Sequence, residues 1–428
     1  MNHALIAVVV FLVAYALIIS EKIHRTVIAL AGGILLILFQ VITQETAFHH
    51  IDFNTIGLLI GMMIMVGVIS QTGLFTYLAI WSAKKVDADP IKILVAIGLL
   101  TAVTSALLDN VTTVLLITPV IFSITKQLKV SPMPYLFTEI ITSNIGGTAT
   151  LIGDPPNIMI GSAVKELTFM AFVNNLAFIS FVILLITLAL FVMIYRKKLE
   201  TTEELKAKIM ELDEKDQIQD ARLLKKCLFV LSLTIAGFCF HQILHLESAT
   251  VALSGAVLLL LMTSAKSEHK LESIFHKIEW LTIFFFIGLF VLVSGLVETG
   301  IISLLATRLI ELTAGNEVAT AMVVLWLSAL ASAFVDNIPF VATMIPLIKE
   351  MGVMGVANLE PLWWSLSLGA CLGGNGTLIG ASANVIVAGL ASQEGYSISF
   401  VKYFKVAFPL MLLSIVISSI YIYVRYLI

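Results

Sequence analysis

The stretch Gly146-Gly147-Thr148-Ala149-Thr150-Leu151-Ile152-Gly153-Asp154-Pro155-Pro156-Asn157 interrupts an apolar run. It returns 227 residues later as Gly373-Gly374-Asn375-Gly376-Thr377-Leu378-Ile379-Gly380-Ala381-Ser382-Ala383-Asn384. Glycine lets backbone approach closely, and Asp154 followed by Pro155 is a helix cap with proline at the first helical position. Each copy therefore reads as a helix broken in mid-course. The same offset carries Ile51-Asp52 to Ile278-Glu279, Thr72-Gly73 to Thr299-Gly300, Asp109-Asn110 to Asp336-Asn337 and Pro119 to Pro346. Two hydrophobic halves, interrupted by Gly, Pro and acid at matching places, form the sequence pattern of a secondary transporter.

Composition agrees. The chain is 59% hydrophobic and 12% charged, against about 25% charged in soluble domains. Apolar runs of about 20 residues, the length a helix needs to cross a bilayer, recur along it. The fold class implied is an all-α polytopic membrane protein. The run from His3 to Ser20 has no Lys or Arg before it and leads into Glu21-Lys22, so it reads as a retained first helix. Cys227, Cys239 and Cys371 show no CxxC spacing, which excludes a disulfide framework and a zinc site and leaves buried small hydrophobes. No GxxxxGK[ST] motif occurs, so this chain alone is not an ATP-driven pump.

The first half predicts helices near 3–20, 26–43, 54–80 and 169–195, a helix from Pro134 broken at Gly153–Pro156, and a pair over about 91–128 broken at Asp109-Asn110. The second half predicts helices near 225–243, 247–264, 278–305 and 401–425, a broken helix from Pro361, and a pair over about 318–348. If each pair is a re-entrant hairpin, each half has an odd number of crossings and the second half is inverted. The reading is thus a first inverted repeat over 1–195, a cytoplasmic linker over 196–224 expected to be helical, and a second inverted repeat over 225–428. It comprises ten transmembrane helices and two hairpins. With both termini outside the inner (plasma) membrane, 21 of the 25 Lys and Arg fall on the cytoplasmic side. Only Lys165, Arg308, Lys349 and Arg425 lie outside, as the positive-inside rule demands.

Ionisable groups within a membrane cost roughly 2.5–3.5 kcal/mol each on insertion scales, so they need a reason. Asp109-Asn110 and Asp336-Asn337 fall at the hairpin tips, where unpaired backbone must face protein or a water-filled cavity. A carboxylate there can hold a cation or take up a proton; it can also cap the second hairpin arm. Asp154 has no acidic mirror, because Ala381 stands at that place, and this makes it a candidate for directional coupling. Glu139 is likewise unmatched, its mirror being Leu366, and reads as either a proton carrier or a salt-bridged acid near the cytoplasmic end. The proton-coupling candidates are Asp109, Asp154, Asp336 and Glu139. The substrate- or ion-binding candidates are Asp109, Asn110, Thr112, Asn144, Gly146, Gly147, Thr148, Thr150, Asp154, Asn157, Asp336, Asn337, Gly373, Gly374, Asn375, Thr377 and Asn384. Asp52 and Glu279 begin equivalent helices and are explained as favourable charge at helix N-termini.

Leu108-Asp109-Asn110-Val111-Thr112-Thr113, Gly153-Asp154-Pro155-Pro156-Asn157 and Asp336-Asn337-Ile338-Pro339 resemble the ion transporter superfamily. The nearest branch is that of arsenite permeases, NhaD-type antiporters and the P-protein-like group. The resemblance covers almost the whole chain. It implies an inverted-repeat fold with two hairpins, scaffold and transport domains, and often a homodimer. In the related sodium–dicarboxylate symporters a Ser-Asn-Thr motif at each tip helps to hold sodium and substrate. Here Asp109 and Asp336 replace the Ser, Val111 and Ile338 replace the Thr, and Asn110 and Asn337 remain. That departure argues against dicarboxylate and for proton coupling.

The leading expectation is proton-coupled export of a small inorganic solute, arsenite or antimonite. Thr148, Thr150, Asn144, Asn375 and Thr377 would offer polar partners to neutral arsenous acid. The alternatives are Na⁺/H⁺ antiport and P-protein-like transport of a small anion. A di-aspartyl intramembrane protease is disfavoured by the duplication and by the lack of a Pro-Ala-Leu run. The partners expected are the lipid bilayer and the small solute. No enzyme activity, nucleic acid, metal centre or cofactor beyond a coupling H⁺ or Na⁺ is expected.

Overall fold

The computed structural model describes residues 3–20, 22–264 and 267–428. Glu21 and Lys266, which entered the reading of the N-terminus and of the charge distribution, lie outside them. In the first half the main helices are α1 (His3–Ser20), α2 (Arg25–Leu38), α3 (Phe53–Ile69), α4 (Leu74–Lys85), α5 (Pro90–Leu107), α6 (Asn110–Leu128), α7 (Met133–Thr148), α8 (Pro155–Ala163) and α9 (Phe178–Tyr195). In the second they are α10 (Ala221–Phe240), α11 (Ser248–Thr263), α12 (Trp280–Glu298), α13 (Ile301–Leu312), α14 (Glu317–Phe334), α15 (Asn337–Val353), α16 (Glu360–Gly373), α17 (Ser382–Gln393) and α18 (Phe400–Ile422). No strand occurs among the described residues, and nine of their helices are long and apolar enough to cross a membrane. The protein is an all-α, multi-pass membrane protein.

Packing follows the duplication. Helix α5 packs on α7 as α14 does on α16; α2 packs on α12 as α11 does on α3; α6 packs on α17 as α15 does on α8. Leu108 and Asp109 connect α5 to α6. The carbonyl of Pro90, at the start of α5, accepts from the Tyr135 hydroxyl of α7 at 2.9 Å. At the end of α6, the Leu128 carbonyl accepts from Thr201 at 2.8 Å, and a short turn leads on to α7. The pair therefore leaves from and returns to one end of the molecule, with Asp109 at its far tip. Close approach needs glycine here: a Cβ on Gly146 would lie 2.2 Å from the Ala102 carbonyl oxygen, and one on Gly373 2.5 Å from that of Ala329.

Three expectations are corrected. The helices read over 54–80 and 278–305 are each broken, at Gly73 and Gly300, which take φ of +77° and +76°. Those angles favour glycine, and they explain why Thr72-Gly73 is repeated as Thr299-Gly300. The first break also receives the linker, since the Thr72 carbonyl accepts from the Gln219 amide at 3.0 Å. Second, the linker is not one continuous helix: residues Glu203–Met210 are helical, the chain breaks after them, and only a short turn at Glu214–Gln217 precedes α10. Lys84 Nζ holds it there, donating to the Leu212 carbonyl at 2.7 Å and to Glu214 at 2.6 Å. Third, the helix read over 26–43 ends at Leu38, because a turn with Gln40 at φ +57° separates it from a short helix at Gln44–His49.

Candidate functional site

Both hairpin tips and both helix breaks meet at the centre of the molecule. The Asn110 amide donates to the Gly153 carbonyl at 3.0 Å, and the Asn337 amide to that of Gly380 at 3.3 Å. Each tip thus docks on the unwound segment of its own half. Asn157 and Asn384 then join the halves. The Asn157 carboxamide nitrogen donates to the carbonyls of Gly147, Thr148 and Thr150, at 3.3, 3.1 and 2.9 Å. That of Asn384 donates to Gly374 and Thr377, at 2.7 and 2.9 Å. Each carboxamide oxygen accepts from the opposite half: Asn157 from Ser367 at 2.5 Å, Asn384 from Asn144 at 3.0 Å. Asn144 also donates to Asn375 at 2.9 Å and accepts from Asn110 at 3.0 Å.

Several of the expected ligands also take part in this framework. The Thr150 hydroxyl donates to the Ala106 carbonyl at 2.6 Å, and the Thr377 hydroxyl to that of Ala333. The Thr148 hydroxyl donates to the Asn144 carbonyl at 2.7 Å. Gly147 and Gly374 admit the backbone of Gly153 and Gly380, and would place a Cβ 2.5 and 3.1 Å from those carbonyl oxygens. These contacts hold the framework of the site together.

The acids differ sharply. Asp109 accepts from the Thr112 amide at 2.7 Å and from the Thr112 hydroxyl at 2.6 Å, so it caps α6. Asp336 has Pro339 where Asp109 has Thr112, and proline offers neither donor. Its carboxylate keeps only the Ile338 amide of α15, at 3.3 Å, pairs with Arg25 and lies 3.4 Å from the Ser382 hydroxyl. Asp154 makes no cap to α8. It is fully buried beside the Cys371 thiol; one oxygen accepts from Asn337 at 3.4 Å, and the other has no well-aligned hydrogen-bond partner. The Asn110 carboxamide oxygen is also buried and unpartnered. Asp109 and Asp336 are near enough to act electrostatically on Asp154.

Glu139 forms no ion pair among the described residues. It is wholly buried between α7 and α6, with the Thr118 hydroxyl 3.0 Å from both carboxylate oxygens. It shares no hydrogen bond with the central asparagines.

Sequence reading missed the residues that open the site to one end. A cavity of roughly 710 Å³ runs from Ile18 and Ile23 past Arg25, Glu279 and Thr282 to Asp336 and Ser382. Glu279 accepts from the Thr282 hydroxyl at 3.0 Å. Arg25 stands over the Phe285 ring, 4.8 Å from its centroid. One signal was available: Arg25 opens a helix, where a cation is disfavoured by the helix dipole. A basic residue placed there needs a partner elsewhere.

Known proteins match this architecture. A family model described as CitMHS, citrate transporter, matches residues 15–369. The chain is 42% identical over 429 residues to the uncharacterized transporter Mb2703 of Mycobacterium bovis, with 99% of each chain covered. It is 35% identical over 505 residues to the P protein of Homo sapiens, covering 99% of this chain and 60% of that protein. Among solved structures, the YdaH transporter of Alcanivorax borkumensis shares the fold, with a TM-score of 0.60 at 14% identity, covering 99% of this chain and 98% of that one. The protein belongs to the CitMHS citrate transporter family and is a membrane transporter of the CitMHS and P-protein type.

Proposed function

We propose that the protein is a secondary active transporter in which Asp154 carries the coupling proton, and that it exports a small uncharged inorganic solute such as arsenous acid. The observation that carries this reading is the Asp154 carboxylate: fully buried, uncapped, with one oxygen lacking a well-aligned partner, between the tip of the second hairpin and the break of the first half. A buried carboxylate without a cation is stable as the neutral acid. Loading and unloading one proton therefore changes which state can rearrange. The lining of the cavity argues against a free polyanion as substrate. Its acids are Glu279 and Asp336, and its one arginine is already paired.

A second reading is Na⁺/H⁺ exchange, favoured by Asp336 and Glu279 lining one cavity and by the buried Asp154 carboxylate and unpartnered Asn110 oxygen behind it. In either case the two halves act as inverted repeats in the inner membrane. Hairpins and broken helices move as a unit against α2, α3, α11 and α12.

The test uses proteoliposomes with a trapped pH dye at fixed membrane potential, with arsenite, Na⁺, chloride or citrate added in turn. Proton flux with arsenite, absent in Asp154→Asn, is the expected result. Flux with Na⁺ alone selects the exchanger. Proton flux that survives Asp154→Asn overturns the role given to this residue.

A further inference from the structure

The two hairpin tips are equivalent in sequence and unequal in structure, and the inequality centres on Arg25. Asp109 is held locally by two short bonds from Thr112, whereas Asp336, facing Pro339, has only one long bond from the Ile338 amide at 3.3 Å. Arg25 supplies what the proline withholds. It belongs to α2, which packs on α12, and its partner Asp336 is at the tip of the second hairpin. The pair therefore bridges the two bodies that must move apart if the hairpins travel.

A second contact joins the same bodies nearby. The Tyr15 hydroxyl of α1 donates to the Pro339 carbonyl at 2.6 Å and lies 3.0 Å from the Thr343 hydroxyl. Gly288 meets Ala29 and Leu30 as Gly61 meets Ala252 and Leu253, so the position equivalent to Arg25 in the second half is Ser248, which carries no charge and cannot reproduce the ion pair. Among the described residues, only the second hairpin is tied in this way. The charged and titratable groups around Arg25 are Asp336 on the tip, Glu279 at the head of α12 and His24 beside it, with Asp154 and Asp109 behind.

We infer that Arg25 is a positioning residue for transport: a tethered cation that neutralises Asp336 and holds the second hairpin against α2 with the cavity open, until Asp336 is neutralised in another way. The inference rests on the reading of the hairpins as the moving unit. It does not depend on which solute is carried. A bound cation or a proton on Asp336 would free Arg25 and release the hairpin. The arginine is then the internal competitor that any coupling cation must displace.

The experiment reads conformation rather than transport. Val385 lines the cavity and is 46% exposed. In full-length Cys239→Ser protein in lipid nanodiscs, Val385→Cys is labelled with a membrane-impermeant maleimide and the rate is recorded. Arg25→Gln is expected to lower that rate about five-fold or more, the lower end of ordinary coupling between sites. Asp336→Asn should lower it equally, the two together no further, and the exchange Arg25→Asp with Asp336→Arg should restore it. Arg25→Lys keeps the charge and should retain most of the rate.

An unchanged rate in Arg25→Gln overturns the inference. So does a loss in Arg25→Lys as large as in Arg25→Gln, because Arg25 would then act through packing on Phe285. A restored rate in the exchanged pair shows that neither single change acted by unfolding the protein. A transport assay silent to every solute would leave this result standing, so the two proposals fail separately.

Discussion

Ser367 donates its hydroxyl to Asn157 at 2.5 Å, and this contact ties the broken helix of the first half to the broken helix of the second. Asn157 also closes three carbonyls of its own break. Each buried polar group left unpaired costs about 1–3 kcal/mol. Asn157→Ala should therefore lower the unfolding free energy by at least about 3 kcal/mol, read as a lower melting temperature in detergent. Gly389→Ala is the matched control. A Cβ there meets nothing within 4 Å, and alanine favours the helix.

The two left-handed glycines should respond unequally. Both carry a positive φ, so alanine costs each about 1–2 kcal/mol. At Gly73 an added Cβ would also lie 1.8 Å from the Gln217 carbonyl oxygen, whereas at Gly300 it meets nothing within 4 Å. Gly73→Ala should consequently unseat the linker and Gly300→Ala should not. Proteolytic nicking near Lys215 would report the difference.

The linker has its own ionic fastening. The hydrogen bond from Lys84 holds the Glu214 carboxyl below its ordinary range. A depressed carboxylate pKa contributes stability that is complete above the unfolded value of about 4.3 and is lost as pH falls through the folded value. Docking should thus be insensitive to pH from 8 down to about 5 and weaken below about 4. Amide exchange across Glu203–Met210 measures this. Glu214→Gln should raise exchange at pH 7 and remove that part of the acid sensitivity.

Much of this was legible in the sequence because a membrane leaves few reasons for Gly, Pro and acid in an apolar run. The tips at Asp109 and Asp336 and the breaks after Gly147 and Gly374 fall where those residues interrupt the helices. Arg25 was not legible: one cation beside a helix end reads as topology, and its partner lies 311 residues away. The burial of Glu139 was not legible either, because counting turns from a helix start gives depth along the axis and says nothing of which face is covered. The linker misled for a similar reason. Its Leu and Ile spacing fits a helix, but Lys84 takes the Leu212 carbonyl, which a continuing helix would have needed for itself.

The unequal tips give the sharpest test. Asn is as good a helix cap as Asp, so Asp109→Asn preserves what Asp109 does for α6 and should leave proton flux within about two-fold of wild type. Asp336→Asn removes the charge that faces Arg25, leaves a part-buried guanidinium unpaired, and should lower flux about ten-fold or more. Pro339→Thr offers Asp336 the donors that Asp109 already has. It should draw the carboxylate back onto its own helix and reproduce the Asp336→Asn defect without changing any charge. Flux assays on the three variants, each normalised to folded protein by size-exclusion chromatography, decide the matter. Equal losses in Asp109→Asn and Asp336→Asn would restore the symmetric reading, in which both tips carry the ion.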